Sequence, residues 1–201
     1  MNIKLYHMSR TRAVRPRWLL EELGIAYEIH PIDLFAGEGE ALKYKKISPL
    51  GTVPALEIDG EVMLESGAIC HWLTDYYSDS GLAPSITEPD RKAYEQWMIF
   101  SQATLEMSPW LIILHSKLLP ESQRVKAIVP WAEQSYQKVL KVLSDALGED
   151  DYLVGNRFTT ADIMVGSTLM FMPDMLDRCA NLIAYIERLM KRPAFLRATK
   201  E

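Results

Sequence analysis

Hydroxyl and arginine side chains gather in three short stretches of this sequence: Met8-Ser9-Arg10-Thr11-Arg12, Thr52-Val53-Pro54 and Glu65-Ser66. Each lies where a predicted strand meets a turn or a predicted helix begins. Such places carry unpaired backbone N–H groups and the positive end of a helix dipole, so they suit one or more anionic groups of a ligand. A serine or threonine hydroxyl can donate to such a group, and an arginine can add charge. Metal and disulfide chemistry are poorly supplied. The only cysteines, Cys70 and Cys179, are too few and too far apart for a zinc site or a disulfide framework, and no metal site is expected. Cys70 falls inside a helical pattern beside His71, which reads as an inert buried thiol, as does Cys179. His115 stands alone on an apolar helix and receives no role.

The elements that must position these residues follow from periodicity. Residues 3–6 read as a strand, 13–23 as a helix closed by Gly24, and 27–32 as a second strand, a βαβ opening with a parallel pair. Residues 35–46 form a polar, glycine-containing stretch. Residues 55–58 and 62–64 flank Asp59-Gly60, a strong hairpin signal, and a helix then runs from Glu65-Ser66 to about Tyr76. The order is βαβ-ββα. Residues 78–89 (SDSGLAPSITEP) break every period and read as a linker between a first domain, 1–77, and a second, 90–201.

The second domain reads as all-helical. Val125, Ile128, Val129, Ala132, Tyr136, Val139, Leu140, Leu143 and Leu147 recur at three- and four-residue steps, with Pro130 either kinking that helix or marking its start. In Phe158-Thr159-Thr160-Ala161-Asp162-Ile163, Thr159 and Asp162 have the spacing of a capping box, with Phe158 and Ile163 at the staple positions.

Composition narrows the function classes. With 48% hydrophobic and 24% charged content in 201 residues, the chain can bury a substantial core. Lys and Arg total 22 against 27 for Asp and Glu, a net charge of −5 that gives no global attraction to nucleic acid or anionic lipid. No apolar run approaches the ~20 residues needed to span a bilayer, and the start lacks an apolar signal region. A cytoplasmic protein with no nucleic-acid or membrane partner is expected. The arginines at 10, 12, 15 and 17 read as a solvated face or as intersubunit pairs.

Residues 9–22 (SRTRAVRPRWLLEE), 48–56 (SPLGTVPAL) and 65–70 (ESGAIC), the Thr159/Asp162 pair and the closing Arg192-Pro193-Ala194-Phe195 together resemble the cytosolic glutathione transferases, in their bacterial, serine- or threonine-dependent form. The resemblance covers nearly the whole chain. It implies a thioredoxin-like α/β domain followed by an all-α helical bundle, working as a homodimer with glutathione as co-substrate and no permanently bound cofactor. Pro54 would be a cis proline, with Val53 offering its backbone N–H and C=O to the peptide. Ser66 would hold the γ-glutamyl carboxylate and Glu65 the ammonium group. Thr52 occupies a position that is often lysine in similar sequences, so affinity would be weaker or Lys46 would substitute.

The thiol-activating group under this resemblance is Ser9, Thr11 or Arg12. Lowering a cysteinyl pKa of ~8.5 by about two units requires roughly 2.7 kcal/mol of thiolate stabilisation, within reach of one hydroxyl and a helix terminus. Tyr6 reads as a strand residue placed too early for the role. Residues 8–12 hold no cysteine, which disfavours chemistry through a mixed disulfide. A small apolar electrophile would meet Met107, Trp110 and Leu111 between the domains. Conjugation of that electrophile, as in detoxification, is the leading expectation; a glutathione-dependent isomerase or dehalogenase, or a non-catalytic scaffold with this fold, are the alternatives.

Overall fold

A computed structural model describes residues 1–200, and its backbone divides into two units: residues 1–82 joined by the segment from Met190 onward, and residues 83–189.

The first unit is built on a four-stranded sheet in the order β2-β1-β3-β4. Its strands are β1 (Ile3–His7), β2 (Glu28–Pro31), β3 (Ala55–Ile58) and β4 (Glu61–Leu64), and its helices are α1 (Val14–Leu23), α2 (Leu42–Lys45) and α3 (Ser66–Tyr76). β1 and β2 run parallel across the α1 crossover, whereas β1–β3 and β3–β4 are antiparallel. The β3–β4 turn is Asp59-Gly60, with φ of 49° and 94°, the paired left-handed geometry that a tight hairpin between twisted strands requires. Alternation sorts the strand residues. Tyr6 and Ala55 join Tyr44 and Val53 in one cluster, while Ile3, Leu5 and Leu56 are buried on the opposite face. Trp18, Leu19 and Leu20 of α1 and Ile69, Cys70 and Leu73 of α3 complete the core, and the two helices pack on each other.

Two features depart from the sequence reading. The 35–46 stretch contains a turn at Glu38–Glu40 and the one-turn helix α2, which is anchored by buried Tyr44. The closing residues, assigned above to the helical domain, belong to the first unit. There α9 (Pro193–Ala198) packs on α1, with Phe195 edge-on to Trp18 at 4.8 Å between ring centroids. Arg192 donates two hydrogen bonds to the Glu22 carboxylate at 2.6 and 2.9 Å, and Arg197 pairs with Glu21 at 2.6 Å. A forked guanidinium on a carboxylate fixes orientation as well as distance, so these pairs clamp α9 to α1.

His7, at the end of β1, is buried, and burial above all, with the nearby Arg17 charge second, lowers its pKa from 6.5 to about 4. The folded chain therefore refuses a proton that the unfolded chain accepts. Stability is complete above pH 6.5 and is lost as pH falls from 6.5 toward 4, by about 3 kcal/mol at 1.36 kcal/mol per pKa unit. Urea unfolding at pH 7.0 and pH 4.5 is expected to show a larger loss for the parent than for His7→Asn. Equal losses in the two proteins would refute this assignment.

The second unit is helical, and among the described residues its only extended pairing is the Val154–Arg157 bridge. α4 (Arg91–Phe100) continues through a π-helical turn (Ser101–Leu105) into α5 (Met107–Ile113), then through a second (Leu114–Leu118). α6 (Ile128–Leu147) follows, then α7 (Thr160–Leu169) and α8 (Ala180–Met190). Pro130 sits in the first turn of α6 and marks its start, where no intrahelical N–H is needed, and Val125 lies ahead of the helix. Ala132, Tyr136, Leu140, Leu143 and Leu147 form its buried stripe. Every residue of α7 is buried, so α7 is the central helix of this unit. The expected capping box opens it: the Asp162 carboxylate accepts from the Thr159 N–H at 2.7 Å and from the Thr159 hydroxyl at 3.1 Å. Among the described residues no helix is long and apolar enough to cross a membrane, and no group of His, Cys, Asp or Glu could hold a metal ion.

Candidate functional site

The strand registers bring the three hydroxyl-bearing segments to one end of the sheet. Tyr6 pairs with Ala55, and Ala55 pairs with Leu64. The exit of β1 toward Met8-Ser9, the entry of β3 from Val53-Pro54 and the exit of β4 into Glu65-Ser66 are therefore neighbours, although Ser9 precedes Val53 by 44 residues and Glu65 by 56.

At the β1 exit the two hydroxyls differ. Thr11 donates its proton to the Met8 carbonyl at 2.7 Å and accepts from the Ala13 N–H at 3.2 Å, so it is committed to shaping the turn into α1. Ser9 is exposed and its hydroxyl has no hydrogen-bond partner among the described residues. Arg10, beside it, holds a left-handed φ of 61°. Arg12 is half-buried. Tyr6 is occupied elsewhere: its hydroxyl donates to Glu57 at 2.8 Å, and burial first, then that carboxylate, pushes its pKa up to about 12. A phenol so placed is a poor source of thiolate stabilisation. Both cysteines are free and buried, and burial pushes the Cys70 thiol up to about 12.

At the β3 entry the Val53-Pro54 bond is cis. Among the described residues the Val53 N–H and C=O have no hydrogen-bond partner, the state of a strand edge awaiting another peptide. The segment before it is held firmly. Thr52 donates its N–H to Ser48 Oγ at 3.2 Å, and its carbonyl accepts from the Tyr44 hydroxyl at 2.8 Å. The Thr52 side chain is exposed, as is Lys46 at the end of α2. Gly51 (φ 67°) and Gly39 meet backbone to backbone, and a Cβ on either would collide with the carbonyl oxygen of the other. Gly51→Ala adds that collision to a left-handed φ, and a loss of about 2–4 kcal/mol in stability is expected by thermal unfolding. A midpoint unchanged from the parent would show that these loops can separate without cost.

At the start of α3, Glu65 adopts φ 68°, ψ 110° and is exposed, while Ser66 is buried. The first hydrogen bond of the helix is Ile69 N–H to Glu65 C=O, so the N–H groups just ahead of Ile69 have no helical acceptor. The Ser66 hydroxyl oxygen accepts from Arg15 Nη1 at 3.1 Å. Arg15 has no exposed surface, which corrects the reading of the arginine cluster as a solvated face. Arg17 also differs from that reading, since it donates to the Lys200 carbonyl at 3.0 Å. No local signal separates Arg15 from Arg12 in sequence.

Met107, Trp110 and Leu111 lie in the second unit on α5, spaced at three and four residues and thus on one face. Met107 and Trp110 are exposed and Leu111 is half-buried. His115 accepts from the Val125 N–H at Nδ1, a local loop contact.

Residues 1–75 match the family model described as Glutathione S-transferase, N-terminal domain, and residues 113–196 match that described as Glutathione S-transferase, C-terminal domain. Among curated relatives, Glutathione S-transferase 3 of Schizosaccharomyces pombe is 32% identical over 170 residues, which cover 80% of this chain and 70% of that protein. Glutathione S-transferase F13 of Arabidopsis thaliana is 30% identical over 99% of this chain and 95% of its own length. The crystal structure of a glutathione transferase from Methylococcus capsulatus superposes with a TM-score of 0.87 at 26% identity, over 98% of this chain and 97% of that one.

Proposed function

The chain belongs to the glutathione S-transferase family and is a transferase of that family, and from that premise we propose that it joins the thiol of glutathione to small apolar electrophiles. The observation that carries the reading is the unpaired backbone of Val53 at the same sheet end as the unpartnered Ser9 hydroxyl. In this reading the cysteinyl N–H and C=O of glutathione pair with the Val53 C=O and N–H, as a strand pairs with a sheet edge. The γ-glutamyl carboxylate accepts from the Ser66 hydroxyl and the free N–H groups of the first turn of α3, and Glu65 receives the ammonium. Docked this way, the sulfur lies toward the β1 exit, where Ser9 donates to it and holds it as thiolate. The thiolate then attacks the electrophilic carbon, a C–S bond forms, and the leaving group departs with its electron pair. The site supplies proximity and a stabilised nucleophile.

The electrophile is proposed to meet Met107, Trp110 and Leu111 on α5. Ser9 is the preferred activator over Thr11, whose proton is spent on Met8, and over Arg12. Glutathione enters and leaves as a co-substrate. A homodimer in the cytoplasm is proposed, a reducing compartment suiting two buried free thiols.

An ultraviolet difference titration with glutathione across pH tests the reading. A thiolate band that saturates with glutathione and titrates about two units below the free thiol at ~8.5 is expected. Absence of binding, or binding without a shifted thiolate, overturns it.

A further inference from the structure

Arg15 is the second residue of α1 and is fully buried, and a guanidinium is among the costliest groups to remove from water. Its Nη1 donates to Ser66 Oγ across 51 residues of sequence, where α1 packs against the first turn of α3. Its charge is also felt at Cys70, one turn further along α3. A hydroxyl has one proton to give. With an oxygen lone pair engaged by Arg15 and no acceptor for the Ser66 proton among the described residues, that proton remains available to a ligand. A cationic donor on that oxygen polarises the O–H and strengthens its outward bond, most of all to an anion. The same charge adds to the positive end of the α3 dipole.

We propose that Arg15 is a positioning residue that sets the site's preference for a free α-carboxylate on the γ-glutamyl end of glutathione, acting through Ser66. The proposal rests on the glutathione reading above. Arg15 touches neither the sulfur nor the electrophile, so it governs which ligand is held and leaves the chemical step to Ser9. Lysine is an imperfect substitute, because a compact ammonium on a flexible stem lacks the planar, preorganised donors of a guanidinium.

The test uses the full chain with Arg15→Met, which keeps the apolar stem and removes the charge, and Arg15→Lys. Calorimetry measures binding of glutathione and of its analogue with the γ-glutamyl α-carboxylate converted to an amide. Arg15→Met is expected to weaken glutathione about tenfold and the amide less than about threefold, with Arg15→Lys between, as loss of a charge-assisted contact predicts. At saturating glutathione, kcat should stay within about twofold of the parent. Equal weakening of both ligands in Arg15→Met overturns the proposal, as does glutathione affinity that is unchanged there. So does failure of both variants to fold by circular dichroism, which would make Arg15 a purely structural residue. A parent protein that binds neither ligand defeats the glutathione reading itself, and the proposal with it.

Discussion

Ser9→Ala is expected to lower kcat for conjugation about 100-fold while the Kd for glutathione moves by less than about threefold, the pattern of a donor that acts on developing or stabilised negative charge. The expectation comes from where the hydroxyl protons go. Thr11 spends its proton on the Met8 carbonyl at 2.7 Å and receives the Ala13 N–H, so its loss should loosen the turn more than the chemistry. Tyr6 is tied to Glu57 and titrates near 12. Ser9 alone of these three keeps an uncommitted donor. Without it the bound thiol should titrate closer to ~8.5, so the rate deficit should be large at pH 6.5 and shrink toward pH 9, where the thiol ionises unaided. The pH–rate profile with a chromophoric aryl halide reads both amplitude and midpoint. If Ser9→Ala keeps more than a third of the parental rate at pH 6.5, the role moves to Arg12 or Thr11, and Arg12→Ala with its own profile decides between them.

What the sequence made legible was local. The Asp59-Gly60 turn, the Gly24 stop and the Thr159/Asp162 box each depend on residues within a few positions of one another, the βαβ crossover depends on the periodicity of one continuous stretch, and the structure has all four. The Val53-Pro54 and Glu65-Ser66 segments were visible as types at chain positions. Their approach to Ser9 follows only once the antiparallel β1–β3 and β3–β4 registers are drawn.

Contacts between distant residues were not legible. Arg15 looks like its neighbours Arg12 and Arg17 in sequence, and only the packing of α1 on α3 buries it against Ser66. The closing segment follows the helical domain in sequence without a break and so falls within 90–201. Its place on α1 depends on Glu22–Arg192 and Trp18–Phe195 pairs across at least 170 residues, for which no periodicity exists. The helix α2 spans four residues and is anchored by one buried tyrosine, too little to reveal a 3.6-residue period. These three features share a cause, since each is fixed by a tertiary partner and not by its own segment.

Asp162→Ala is expected to cost about 3–5 kcal/mol, the range for breaking a buried charged network by removing one partner. Asp162 has no exposed surface. One carboxylate oxygen accepts from the Thr159 N–H at 2.7 Å and the Thr159 hydroxyl at 3.1 Å, the other from the Leu153 N–H at 3.1 Å and the Tyr185 hydroxyl at 2.8 Å. Alanine orphans all four donors in the interior, and each unsatisfied one costs roughly 1–3 kcal/mol before relaxation. The damage centres on α7, which is buried along its whole length, so local fraying cannot absorb it. Graded variants separate the contributions. Asp162→Asn keeps an acceptor for Leu153 and Tyr185 but turns an NH2 toward the Thr159 N–H, and about 2 kcal/mol is expected. Tyr185→Phe removes one donor together with its need for a partner, and about 1 kcal/mol is expected. Urea unfolding of the three variants should rank them in that order. If Asp162→Ala fell within 1 kcal/mol of the parent, the network would be incidental, and α7 would be held by packing alone, including the close seat of Leu189 over Gly166, where a Cβ would collide.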